Sequence, residues 1–212
     1  MLDQVIDHQY EFASGVKLKI STTFVDSGGH YTQDVYSACR DRIYRKVFAI
    51  KGRGGNGVPY TAPPKQTSIV VQGKYLGKCW LYTLGVDAGK RAIMDSMRVK
   101  EAGAKYYHFP KRDDYGSAYF AGLLSEHLVY KQGKKQPWVW EKIPGHERNE
   151  ALDCRNYANA AFKALDVNLD EIEKRLKGIG DQSPKPVKAP SAKKEEKPRR
   201  KANKGNKFFD SW

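Results

Sequence analysis

The chain has few of the residues that would tie it to a disulfide framework or a membrane. Its 212 residues include three cysteines, Cys39, Cys79 and Cys154, with no Cys-x-x-Cys pair. That spacing argues against a structural zinc site and a stapled secreted fold, so reduced thiols in an intracellular setting are expected. No apolar run approaches the length that crosses a bilayer, so no membrane partner is expected. The opening residues, Met1 to His8, lack the basic region and apolar core of a signal peptide. A phosphate-binding loop is also missing. Gly89-Lys90 runs into Arg91 without the required upstream glycine, and the run from Gly52 to Gly57 has neither the lysine nor the hydroxyl. No ATP site is expected. Ser27, in Asp-Ser-Gly-Gly, is not the serine of a nucleophile elbow.

What the chain has in excess is positive charge. The formal net charge is +14 and the isoelectric point about 9.6. Ten Lys/Arg against four Asp/Glu fall between Asp181 and Trp212, so roughly +8 belongs to the rest. A basic body joined to a basic tail points to a polyanionic partner, and nucleic acid fits best. After Gly178 the composition shifts to Lys, Pro, Ser and Ala. Residues 1–177 are therefore expected to form one domain and 178–212 a disordered basic tail. Phe208, Phe209 and Trp212 close that tail as a candidate docking peptide.

Periodicity predicts alternating strands and helices. Residues 1–13 suit a short helix. Val16–Val25 alternates as a strand that ends at Asp26. A helix capped by Thr32 follows, then a strand at Val47–Ile50. Lys51 to Lys65, rich in glycine and proline, reads as an exposed loop whose Lys51 and Arg53 are placed to meet phosphates. Ser68–Gln72 and Lys78–Val86 suggest a hairpin, and the helix from Gly89 to Lys100 follows Asp87. Tyr106–Phe109 reads as a short strand and Ser117–Tyr130 as a helix. Trp138–Ile143 reads as a strand and Leu169–Leu176 as a last helix. The most informative stretch is the helix expected from His146 to Leu165. Its small-residue stripe is Ala151, Cys154, Ala158, Ala161, Phe162 and Leu165, with Asp153 at the edge. The fold class is a mixed-sheet α/β domain.

Three carboxylates stand where hard metal ions are held: Asp26 and Asp87 at strand ends, and Asp153 on the helix. Mg²⁺ prefers carboxylate and water, and two-metal nucleases need such groups to converge from separate elements. Each has an ordinary structural alternative. Asp26 suits a turn, Asp87 suits a helix N-cap, and Asp153 suits a polar position near a helix start.

Several segments occur in an ordered series. They are Phe24-Val-Asp-Ser-Gly-Gly-His-Tyr-Thr-Gln33, Val47-Phe-Ala-Ile-Lys-Gly52, Leu84-Gly-Val-Asp87, His108-Phe-Pro110 and Arg148-Asn-Glu-Ala-Leu-Asp-Cys154. Over about residues 1–165 the chain resembles the C-terminal nuclease region of the bacteriophage terminase large subunit, lambda-type (GpA) family. The resemblance implies an RNase H-like mixed sheet flanked by helices. It also implies a two-metal site for Mg²⁺ or Mn²⁺ and an endonuclease that cuts concatemeric viral DNA. Asp26 and Asp153 would be the catalytic metal ligands, with Asp87 as a third, and Lys51 and Arg53 would contact DNA. The implied partners are double-stranded DNA, the phage portal, the small terminase subunit and a separate ATPase chain, in the bacterial host cytoplasm. In the family the nuclease opens with a strand bearing a further aspartate, and that strand would precede the matched region. The sheet is therefore expected to be incomplete on its N-terminal side, with an exposed apolar edge. Asp3 and Asp7 are poor replacements for that aspartate. Two other readings stand beside the nuclease: a non-catalytic DNA-binding or assembly module of a split or truncated terminase, and a free-standing RNase H-like resolvase or RNA nuclease.

Overall fold

The computed structural model describes residues 1–11 and 15–178. The expected tail and its aromatic end therefore lie outside the described residues, apart from Gly178. Residues up to Val167 form one compact unit, and the helix at Leu169–Gly178 belongs to a second.

In chain order the first unit begins with α1 (Leu2–Asp7), β1 (Gln9–Glu11), β2 (Lys17–Lys19), β3 (Thr23–Asp26) and α2 (Thr32–Asp41). β4 (Val47–Arg53), β5 (Lys65–Val71), β6 (Lys74–Gly85) and α3 (Val86–Met97) follow. The unit ends with α4 (Ser117–Leu123), β7 (Glu126–Tyr130), β8 (Trp138–Lys142) and α5 (Glu150–Leu165). The helix at Leu169–Gly178 is α6.

The central sheet has the order β3-β4-β6-β5. β3, β4 and β6 run parallel and β5 is antiparallel to β6. This is the expected mixed sheet flanked by helices. Strand alternation divides its two faces. On one, Val47, Ala49, Ile69 and Cys79 are buried with Ile6 of α1 and with Tyr36 and Cys39 of α2. On the other, Ile50 and Leu84 pack with Ala160 of α5, and Phe24, Tyr60, Tyr82 and Tyr157 close around them. Phe24, Phe48 and Tyr82 form an aromatic row across three strands on this face, with Phe24 and Tyr82 centroids 4.8 Å apart. A third core joins Ile93 of α3, Leu123 of α4 and Leu152 of α5.

β3 is an edge strand, and its outer side has no strand partner among the described residues. All four of its residues keep some solvent access.

Several expectations need correction. The strand expected over Val16–Val25 is two pieces. The Thr22 hydroxyl and the Thr23 N–H both donate to the Lys46 carbonyl, which aligns β3 with β4. The earlier piece, β2, pairs with β1 instead, where the chain was expected to remain helical. Lys51 and Arg53 are not in a loop; β4 carries both, exposed, at its carboxyl end. Thr32 is the first residue of α2 and not its cap. Its hydroxyl donates back to the carbonyls of Ser27 and Gly29. Tyr106–Phe109 forms no strand, because Tyr107 and Phe109 are drawn into the third core.

The helix expected over Ser117–Tyr130 stops at Leu123. The Ser125 hydroxyl bonds the Gly122 carbonyl, and Glu126–Tyr130 then alternates and pairs with β8. The buried face of α5 is also rotated from the one expected. Leu152, Asn156, Ala160 and Ala161 are buried, whereas Cys154, Ala158 and Phe162 face outward. Small side chains mark a helix face weakly, and the polar Asn156 takes an interior place.

Candidate metal and active site

Parallel strands release their chains at one end of the sheet, and α/β sites gather there. Asp26 is the last residue of β3. The next residue anchors the exit. Ser27 is buried, and both its N–H and its hydroxyl donate to the Ile50 carbonyl, at 2.9 and 2.7 Å. The Gly28 N–H donates to Asp26 Oδ1 at 2.9 Å, a local turn bond that fixes the carboxylate. Asp26 therefore has the turn role expected of it, and its second oxygen still points elsewhere. Tyr157 donates its hydroxyl to that Oδ2 at 3.3 Å.

Tyr157 belongs to a ladder on α5. Asn149, Asp153 and Tyr157 recur every four residues, a spacing that keeps them on one side of the helix. Asn149 stands at the N-cap, where an asparagine ordinarily caps its own helix. Its side chain makes no cap bond. Its amide instead donates to Glu126 Oε1 at 2.7 Å and to Asp153 Oδ2 at 3.1 Å. Lys90, on α3, completes the cluster. Its Nζ lies 2.7 Å from Glu126 Oε2 and 3.6 Å from Asp153 Oδ1. Lys90 and Glu126 are only 9% and 7% exposed.

Burial pushes the Asp153 carboxyl above its ordinary value, Lys90 pulls it back, and the negative charges of Glu126 and Asp26 add to the rise. The Tyr157 phenol is raised as well, by burial first and then by Asp26 and Asp153. It stays protonated and donates. The bond from Tyr157 to Asp26 ties the α5 ladder that carries Asp153 to the end of β3. Asp26 and Asp153 are two of the three carboxylates expected to hold metal, and the two that the resemblance assigns to catalysis.

The other expected residues divide differently. Asp87 lies in the first turn of α3 but does not cap it; Gly85 is the N-cap. Its Oδ2 accepts the Gly55 N–H at 2.7 Å and holds the glycine-rich loop. Asp87, Lys90 and Glu126 line one cavity of about 440 Å³, together with Trp138, Trp140 and Lys142. Lys51 and Arg53 are exposed at the end of β4, beside the strand that carries Asp26. Alternation turns them to the α2 face, while Ile50 faces α5. Asp3 and Asp7 lie at the other end of the strands, gripped by Arg42 and Arg45 just before β4.

Glu126 and Lys90 were not anticipated; Asn149 was expected one turn before Asp153 on the same side of the helix, but not its bonds to two carboxylates. Glu126 was hidden by the helix expected over Ser117–Tyr130. The alternation in Glu126–Tyr130, with Gly133 before a second aromatic strand, was the signal for a hairpin.

Hard donors are present, but among the described residues no three Asp, Glu, His or Cys side chains converge to hold an ion. Mg²⁺ needs only one or two carboxylates when it keeps most of its water. Asp26 and Asp153 meet that requirement. Glu126 does not add to it, because it is buried against the Lys90 ammonium at 2.7 Å, whereas Asp26 is exposed, Asp153 keeps solvent access, and each of their oxygens retains a lone pair beyond its present partner. Among the described residues the donor set therefore offers ligands for one ion.

An α/β domain with one carboxylate at the carboxyl end of a parallel strand, and a second on a helix bonded to that end, has its acidic residues where sites of this fold class form. Comparison with known proteins narrows this class. Residues 1–176 match the family described as the terminase large subunit gpA endonuclease domain, and the chain belongs to that family. It is 31% identical over 169 residues to the terminase large subunit of Enterobacteria phage P21, covering 76% of this chain and 25% of that protein. It is 28% identical over 169 residues to the terminase large subunit of Escherichia phage lambda, with the same coverage. The chain thus spans about a quarter of the length of these relatives. No solved structure matches it. No helix among the described residues is long and apolar enough to cross a membrane.

Proposed function

We propose that this chain is the divalent-metal-dependent endonuclease portion of a phage DNA-packaging terminase, with an RNase H-like fold, and that it hydrolyses phosphodiesters in concatemeric viral DNA. The observation that carries this reading is the hydrogen bond from Tyr157 to Asp26, by which α5, bearing Asp153 one turn earlier, closes on the end of the parallel strand that carries Asp26. Asp26 and Asp153 would hold Mg²⁺ or Mn²⁺. Bound there, the ion supplies an activated water and offsets charge developing on the phosphate. Tyr157 fixes one oxygen of Asp26, and Asn149 fixes one oxygen of Asp153. Lys90 limits the repulsion between Asp153 and Glu126.

The substrate in this reading is double-stranded DNA. Exposed Lys51 and Arg53, at the end of the strand next to Asp26, are its proposed phosphate contacts, and Asp87 supports the adjacent glycine loop. The basic segment at 178–212 would add sequence-independent affinity, and its aromatic end would dock on the portal, the small terminase subunit or a separate ATPase chain. Deletion of residues 179–212 should flatten the salt dependence of DNA binding; an unchanged slope rejects that role.

One assay tests catalysis. Supercoiled plasmid is incubated with the purified chain in Mg²⁺ or Mn²⁺, beside an Asp153→Ala chain. Metal-dependent nicking lost in the variant supports the nuclease. Equal background in both rejects catalysis by this chain. The second reading, a non-catalytic DNA-binding or assembly module, is favoured by one observation: among the described residues no three Asp, Glu, His or Cys side chains converge to hold an ion. It predicts metal-independent DNA binding without nicking.

A further inference from the structure

The acidic cluster contains a cation that belongs to the chain. The Lys90 ammonium lies between Glu126 Oε2, at 2.7 Å, and Asp153 Oδ1, at 3.6 Å. A lysine ammonium is a compact charge with three donors, suited to being shared by carboxylates from different elements. It is also costly to bury, and such a group remains inside only when it is paired and hydrogen-bonded. Lys90 satisfies that condition through residues of β7 and α5. Asn149 bonds the remaining oxygen of each carboxylate, so Glu126, Asn149 and Asp153 form a closed frame around one positive charge.

The position of Lys90 is built into the helix crossing. Gly89 precedes it, and a Cβ at Gly89 would lie 1.8 Å from Asn156 Oδ1 and 2.3 Å from Tyr60. That contact brings α3 close against α5 and sets the base of the Lys90 side chain opposite Asp153. The ammonium is therefore held by packing as well as by charge.

We infer that Lys90 stands permanently in the place of a second metal ion, so that this site binds one divalent cation, at Asp26 and Asp153, and not two. The inference rests on the nuclease reading of Asp26 and Asp153 and changes what that site contains. Glu126 becomes the partner of the lysine and not a metal ligand. Lys90 is a positioning residue: from 3.6 Å it holds Asp153 while that side chain keeps its solvent access. The cavity of about 440 Å³ next to Lys90, lined by Trp138 and Lys142, gives a phosphate access to the same charge.

The test is metal binding by the full chain, read as Mn²⁺ stoichiometry by calorimetry and by loss of the free-ion magnetic resonance signal. The wild type should bind one ion. Lys90→Ala should bind two, because Glu126 and Asp153 are then released to take a second. The double variant Lys90→Ala/Glu126→Gln should return to one. Glu126→Gln alone should bind one ion with affinity within about twofold of the wild type. Circular dichroism checks that each variant is folded. If Lys90→Ala does not fold, the wild-type count and Glu126→Gln decide the matter. Two ions in the wild type, or loss of binding in Glu126→Gln, overturn the role of Lys90 and leave the nuclease reading intact. A folded Lys90→Ala chain that still binds one ion does the same. No ion bound by the wild type overturns both.

Discussion

Gly89 and Asn156 touch so closely that no side chain fits between them: a Cβ on Gly89 would lie 1.8 Å from Asn156 Oδ1. Asn156 is buried, and its amide donates to the Val86 carbonyl at 3.1 Å, so it cannot simply swing away. Gly89→Ala should destabilise the chain by about 1–3 kcal/mol through overpacking. Thermal unfolding should show a fall of several degrees. An unchanged midpoint would mean that the two helices separate at no cost.

Tyr157 controls Asp26 through a single bond. Tyr157→Phe keeps the ring that packs with Ile50 and Leu84 but removes the hydroxyl. The bond is long, so a loss of about 1 kcal/mol is expected, or roughly fivefold in metal affinity. The melting temperature should hardly move. A large fall in stability with unchanged metal affinity would assign Tyr157 to the core alone.

Asp153 should weaken the metal-free fold near neutral pH. Its carboxyl is raised, chiefly by burial. Between the unfolded and the raised folded value the native chain binds more protons, so stability falls as pH rises through that window. It is highest, for this group, below the unfolded value. Asp153→Asn should therefore raise the metal-free melting temperature at pH 7 while abolishing metal-dependent stabilisation. Equal melting temperatures of variant and wild type at pH 7 would count against the raised carboxyl.

The N-terminal clamp behaves in the opposite sense. The hydrogen bond from Arg42 to Asp3, aided by the charges of Arg42 and Arg45, holds the Asp3 carboxyl at about 2. Stability from this group is present above the unfolded value of 3.8 and is lost as pH falls through about 2. Asp3→Asn should melt below the wild type at pH 7, and the gap should close by pH 2. Metal affinity should be unaffected, since the clamp lies at the far end of the strands from Asp26.

Much of this fold was legible in the sequence because its signals are local. The strand ending at Asp26, the helix after it, the strand at Val47 and the hairpin around Gly73 all follow from period and turn chemistry. Asp26 and Asp153 stand out in the sequence by residue type and position and by the family resemblance, and the structure puts them on elements that Tyr157 joins. What stayed hidden depends on contacts between distant segments. Lys90 reads as one more surface lysine until Glu126 is placed beside it, and Glu126 could not be placed while its strand read as helix. Nor does any local rule make an N-cap asparagine serve two carboxylates. The rotation of α5 was missed because alanines scarcely distinguish one face from another, and its orientation is decided by Asn156 and the glycine opposite.

The four-residue spacing of Asn149, Asp153 and Tyr157 also sets a length scale. Eight residues of α-helix rise about 12 Å. Along one strand of a duplex, phosphates succeed one another every 3.4 Å of axis, so a ladder of this length spans roughly three to four of them. In the proposed nuclease, a footprint that short would grip the backbone only around the bond to be cut. The choice of where along the DNA to cut would then fall to contacts made outside α5.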